Sequence, residues 1–158
     1  VMMLSYLRRL LILLFGLSLL SCENNLMTVD GDFRHIDDPR ERWEAYKLSN
    51  YVIEQRRVCF CAPPHGFVKM TVVGGQITDG KEVENNDDVA ANALEWFQTV
   101  DELFDWIEQE KARDPKPARL DVVYDAQYGY PTSIIYDLAL NIADDELTVE
   151  TRGLMVEK

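Results

Sequence analysis

Apolar and polar positions along this chain change their period several times, and each change marks an element. Leu10 to Leu20 is a run of 11 apolar-dominated residues, preceded by Arg8 and Arg9 and closed by Ser21 and Cys22. Residues 23–38, E-N-N-L-M-T-V-D-G-D-F-R-H-I-D-D, follow no period of 3.6 or 2 and are rich in Asn, Asp and Gly. That composition reads as a tether. Leu26, Met27, Val29 and Phe33 are more apolar than a linker needs, so some of them are expected to dock on the domain. Asp38-Pro39 then opens a helix: Asp accepts orphan N–H groups at the N-cap, and proline suits the first helical position. The helix continues from Arg40 to Leu48 and carries Trp43 and Tyr46 on one face as core anchors.

Asn50 to Cys61, N-Y-V-I-E-Q-R-R-V-C-F-C, is rich in β-branched and aromatic residues and reads as a strand. Phe67–Val73 and Gln76–Asp79 flank Gly74-Gly75, a pair that supplies the positive φ of a tight hairpin. Val68, Met70 and Val72 alternate with Phe67, Lys69, Thr71 and Val73, so one face of this strand is expected to be buried. Residues 81–88, K-E-V-E-N-N-D-D, form a polar loop whose carboxylates do not have the spacing of an EF-hand. Thr99 and Glu102 make a capping box for a helix from Val100 to about Arg113, ended by Asp114-Pro115. Val100, Leu103, Phe104 and Ile107 are its core stripe; Trp106 lies off it and is expected to cover a sheet edge or face a partner.

Leu120–Tyr124 reads as a strand, residues 125–132 as a turn in which Pro131 ends ladder pairing, and Ser133–Leu140 as the returning strand. Asp144-Asp145-Glu146 is an acidic turn before a last strand, Leu147 to about Val156. The order is helix, three strands, helix, two strands and a strand-like tail. It specifies an α+β domain over residues 39–158: an antiparallel sheet of four to six strands with both helices packed on one face.

A basic pair, a short apolar run and a small residue before a cysteine are the parts of an export signal. The run resembles a bacterial lipoprotein signal, which implies cleavage after Ser21, a lipid on the Cys22 thiol and a cell-envelope location facing the periplasm or exterior. At 11 residues it is well short of the roughly 20 that a spanning helix needs. Residues 1–21 would then be the signal peptide and 22–38 the lipidated N-terminus and tether, leaving 158 − 21 = 137 residues, enough for one core. Arg8 and Arg9 are the only charges in the signal, so the remainder carries 14 − 28 = −14. That balance argues against nucleic acid and against electrostatic adhesion to anionic lipid. Membrane attachment falls to acyl chains alone.

Candidate chemistry is sparse. Cys59 and Cys61 lie two apart, where an extended strand sets Cα atoms about 6.6 Å apart, at the edge of disulfide geometry. A bridge requires the chain to bulge or turn there, and Ala62-Pro63-Pro64-His65-Gly66 follows directly. The pair reads as a structural disulfide, a redox-active pair, part of a zinc site with His65, or free thiols. The turn carrying Asp125, Tyr128 and Tyr130 is the first candidate for a binding surface, since aromatic residues on loops are common anchors. The competing arrangement packs those rings over the first helix. A Ser–His–Asp site would have to draw on Ser49 or Ser133 with His35 or His65, and none stands in a nucleophile-elbow setting. No cofactor is implied.

Trp43-x-x-Tyr46, the strand ending Cys59-Phe60-Cys61, the Gly-rich hairpin, Thr99-Val100-x-x-Leu103-Phe104 and Tyr124-Asp125-x-x-Tyr128-Gly129-Tyr130-Pro131-Thr132 occur in this order. Asp137 and Ala143-Asp144-Asp145-Glu146 continue the pattern, over roughly residues 40–153. Together they resemble a bacterial envelope family catalogued as a domain of unknown function, many of whose members are predicted lipoproteins. The resemblance implies fold and location and brings no activity with it. The expected function is a non-catalytic envelope lipoprotein, anchored to the membrane through Cys22, that binds a protein, peptide or cell-wall component. The alternative is a thiol–disulfide redox protein using Cys59 and Cys61.

Overall fold

In a computed structural model of the chain, residues 31–61, 64–142 and 144–156 are described. The apolar run, Cys22 and the first part of the tether lie outside the described residues. Within them the elements are α1 (Pro39–Tyr46), β1 (Tyr51–Val58), β2 (Val68–Val73), β3 (Gln76–Glu82), α2 (Ala91–Leu94), α3 (Val100–Ala112), β4 (Arg119–Tyr124), β5 (Pro131–Asp137) and β6 (Leu147–Val156). The six strands form one sheet in the order β3-β2-β1-β6-β5-β4, antiparallel throughout. The α+β expectation therefore stands as a six-stranded antiparallel sheet with a few helices.

Local signals place most of the boundaries. Asp38 caps α1 by accepting from Glu41 N at 2.9 Å, with Pro39 at the first helical position. Lys47 ends α1 in the left-handed region at φ 51°. Gly74 and Gly75 both take positive φ between β2 and β3, and Val68, Met70 and Val72 are buried on one face. The Thr99–Glu102 capping box is closed in both directions. Phe33 sits edge-on against Tyr46 at 4.9 Å, so this part of the tether does dock.

Several expectations need correction. The first strand ends at Val58, not Cys61, because the chain bends at residues 59–61. Pro131 does not end pairing; it is the first residue of β5 and lies opposite Tyr124, a position where the missing N–H is tolerated. That strand stops at Asp137 rather than Leu140. Residues 91–94 form a short helical turn that the apolar periodicity gave no reason to expect. Lys81 and Glu82 belong to β3, held by an isolated bridge and an ion pair between Lys81 and Asp88. The strand-like tail is an interior strand: β6 pairs with β1 over seven registered positions and with β5 over four.

Two buried clusters hold the helices to the sheet. Trp43 of α1 and Val100 and Phe104 of α3 join Tyr51, Ile53, Val68, Met70 and Val72. Leu103 and Ile107 of α3 join Ile134 and Val149. Burying such a side chain is worth roughly 1.5–3 kcal/mol, whereas an exposed ion pair is worth about 0.2–1 kcal/mol. Arg40, paired with Glu44, Asp105 and Glu108, therefore adds orientation more than strength. Buried Gln55 clamps the entry to α3: its amide donates to Gln98 O at 3.0 Å and accepts from Gln98 N at 3.1 Å. Tyr51 does the same for the first turn, its hydroxyl accepting from Val100 N at 3.0 Å, and burial raises its pKa.

On β1 and β6 a charged lattice alternates with these buried positions: Arg56 pairs with Glu150, and Arg152 with Glu54 at 2.8 Å. The Phe67 ring lies beneath both arginines, 3.7 Å from the Arg152 guanidinium and 4.8 Å from that of Arg56. No helix among the described residues is long and apolar enough to cross a membrane.

Candidate functional site

Tyr51, Ile53 and Gln55 are the buried alternate positions of β1, and the same alternation continues to half-buried Arg57 at the strand's end. Arg57 lines a cleft of about 430 Å³ walled by α3, the segment joining α2 to α3, the end of β5 and the start of β6. Trp96, half exposed, and Trp106 supply aromatic walls, with the Trp106 ring 5.4 Å from that of Tyr136. On the floor the buried Glu110 carboxylate accepts from the Tyr136 hydroxyl at 3.0 Å and lies 3.4 Å from Arg113 Nε. Desolvation, reinforced by Glu110, raises the Tyr136 pKa. Trp106 is thus accounted for: it covers β5.

Two residues lining this cleft each carry a buried polar atom without a partner. The atoms are Arg57 Nε and Asp145 Oδ1. Burial pushes the Arg57 guanidinium below its ordinary pKa. The other Asp145 oxygen accepts from Ala139 N at 3.1 Å, which fixes the carboxylate in the β5–β6 connection. Leaving buried charged groups unsatisfied is unfavourable, and such groups in a cleft mark candidate sites. A second recess of about 450 Å³ along β3 and α2 contains neither of these two atoms.

The residues singled out by sequence fall elsewhere. Cys59 and Cys61 sit in the bend after β1 with Cα atoms 5.2 Å apart and their sulfurs in bonding contact, flanking Phe60, which is 85% exposed. The chain thus makes the turn that a bridge requires. His65 is exposed, and among the described residues no group of three or more His, Cys, Asp or Glu is arranged to hold a metal. Ser133 lies within β5, and the His35 ring nitrogen Nδ1 is 3.2 Å from Asp32 O.

The β4–β5 turn is not the exposed tip expected of it. Tyr130 is 6% exposed and packs at 6.4 Å on Trp43. Tyr128 lies 4.8 Å from Tyr46, and Asp125 Oδ1 accepts from Gln127 N and Tyr128 N at 2.9 and 2.6 Å. Aromatic spacing alone does not separate a binding tip from a turn folded over α1; here the rings are drawn into the core by the helix beneath them. The cleft residues had a signal of a different kind. Arg57 continues an inward-facing alternation, and Glu110 continues the Leu103–Ile107 stripe, each a charge where an apolar residue belongs.

The turn and the cleft lie at opposite ends of the sheet. Tyr46 OH bonds Phe33 N and Gln127 O, which ties the incoming chain to the β4–β5 turn. Tyr51 near that turn is seven residues from Val58 near the cleft, roughly 23 Å along the strand.

Residues 35–156 match the family model described as "Family of unknown function (DUF6174)". No curated protein and no solved structure matches the chain.

Proposed function

The chain belongs to that family of unknown function, and from this premise we propose that it is a non-catalytic bacterial cell-envelope lipoprotein, anchored through Cys22, whose domain binds a protein, peptide or cell-wall component. The anchor rests on Arg8-Arg9, the apolar run Leu10–Leu20 and Cys22 after Ser21. The binding role rests on the cleft, whose lining combines Arg57 and Asp145, each with a buried unpartnered polar atom, with Trp96 and Trp106. That site takes the place of the Asp125, Tyr128 and Tyr130 turn as the leading surface. The docking of Phe33 beside that turn supports an orientation in which the anchor leaves one end of the sheet and the cleft points away from the membrane.

A thiol–disulfide role is the second reading, favoured by the contact between Cys59 and Cys61 sulfurs beside an exposed Phe60. One experiment addresses both. The full chain is expressed in a bacterial host fed an alkyne-tagged palmitate, and its intact mass is taken after alkylation with and without reductant. The expected result is a labelled protein beginning at Cys22, loss of label in Cys22→Ser, and no alkylation of Cys59 or Cys61 before denaturation and reduction. An unlabelled wild-type chain sinks the lipoprotein reading. Ready reduction in the native state favours the redox reading over a structural bridge.

A further inference from the structure

We propose that the cleft takes a small zwitterion, a free amino acid or a very short peptide, with its carboxylate against Arg57, its ammonium against Asp145 and its apolar part between Trp96 and Trp106. This rests on the reading of the domain as a binding module and names the ligand's chemical class.

The charge pattern selects that class. Arg57 and Asp145 are opposite in sign and line the same space, and each carries one buried polar atom without a partner. Arg57 and Asp145 form no ion pair with each other, unlike Arg113 and Glu110 beside them. A ligand with one charge of each sign complements both residues at once. An inorganic anion would satisfy Arg57 but face Glu95, Glu110 and Asp145; a simple cation would face Arg57 and Arg113.

The two remaining charges on the floor are already engaged with each other. Glu110 and Arg113 share the Tyr136 hydroxyl, which donates to Glu110 and accepts from Arg113 at 3.3 Å. Glu95 is exposed to water, so Arg57 and Asp145 are the pair that defines polarity. The Arg57 backbone is set by the β1–β6 ladder, registered opposite Val149, and the Asp145 carboxylate is held by Ala139 N. The negative end of the site is therefore preorganised, which lowers the ordering cost of binding a small dipolar molecule.

Size and walls agree. At about 430 Å³ the cleft is within the range of roughly 300–1,000 Å³ usual for small-molecule sites. Indole faces attract an ammonium as well as apolar side chains. Trp96 is 52% exposed at the mouth, a position from which its ring is free to cover a bound side chain.

The test is isothermal titration of the full chain, purified in detergent, with leucine, phenylalanine and the dipeptide Ala-Phe, each in free, N-acetylated and C-amidated form. The expected result is saturable binding of at least one free form, weakened about 10- to 100-fold by either blocking group, the effect of leaving one buried charge unpaired. Arg57→Ala should weaken the free form similarly while leaving the amidated form unchanged; Asp145→Asn should do so while leaving the N-acetylated form unchanged. Comparison of blocked and free ligands on the wild-type chain decides the matter even where a variant does not fold. No saturable binding at millimolar concentration, or blocked forms that bind as well as free ones, overturns the proposal. Loss of palmitate label with intact titration would instead remove the anchor and leave the ligand class standing.

Discussion

Trp43→Ala should cost about 3–5 kcal/mol of folding stability, the range for removing a large buried aromatic side chain. Trp43 is 2% exposed, stands edge-on to Tyr51 at 5.4 Å and to Tyr130 at 6.4 Å, and donates Nε1–H to Asp101 Oδ1 at 3.1 Å. The hydrogen bond is the lesser part, because exposed Asp101 can exchange it for water. The cavity is the greater part: α1, β1, α3 and the β4–β5 turn all meet at this ring, so the hole cannot collapse from one side alone. Stability of a globular domain is typically about 5–15 kcal/mol, which makes this loss a large share of the whole. Urea denaturation should show a lower midpoint with the slope unchanged. A shift below about 1 kcal/mol would mean that the ring is not the keystone its contacts describe.

Gly129→Ala is expected to cost about 2–5 kcal/mol, for a reason that volume does not capture. The residue sits at φ +86°, in the left-handed region that a Cβ makes unfavourable by about 1–2 kcal/mol. Its added Cβ would lie 2.2 Å from Pro39 O and 3.3 Å from Arg42 Cβ. Backbone cannot rotate out of the way, so α1 must lift from the turn, adding the roughly 1–3 kcal/mol typical of overpacking. Gly80→Ala makes the informative control. There the nearest atom is Leu94 Cδ2 at 2.3 Å, the end of a flexible side chain on the short α2 turn. The two melting curves should separate clearly, with Gly129→Ala the lower; equal midpoints would refute the close packing of α1 on the β4–β5 turn.

These two sites also show what one-dimensional information reaches. Asp38-Pro39, Gly74-Gly75 and Thr99-x-x-Glu102 act within four residues, and each is found doing what its chemistry dictates. The stripe Val100, Leu103, Phe104 and Ile107 is buried throughout because helical period is a local property. Where β6 sits is decided by pairing between residues 51–58 and 148–156, and no signal inside either segment states it. The cleft is harder still, since Arg57, Trp96, Trp106 and Asp145 come from four separate stretches. Tyr128 and Tyr130 were ambiguous for the opposite reason: the same residues suit a wet tip and a core turn, and only the presence of Trp43 and Tyr46 beneath them chooses.

The position of β6 has a consequence for how the domain comes into being. It emerges from the ribosome after every other strand, yet it alone joins the β1–β3 half to the β4–β5 half. Until it arrives, β1 and β5 each present an unpaired edge, and the long-range ladder that closes the sheet has no partner to zip against. Assembly of the sheet is thereby deferred until β6 has been made. Neither half can lock the shape of the domain by itself, because the ladder that closes the sheet belongs to the strand made last of the six.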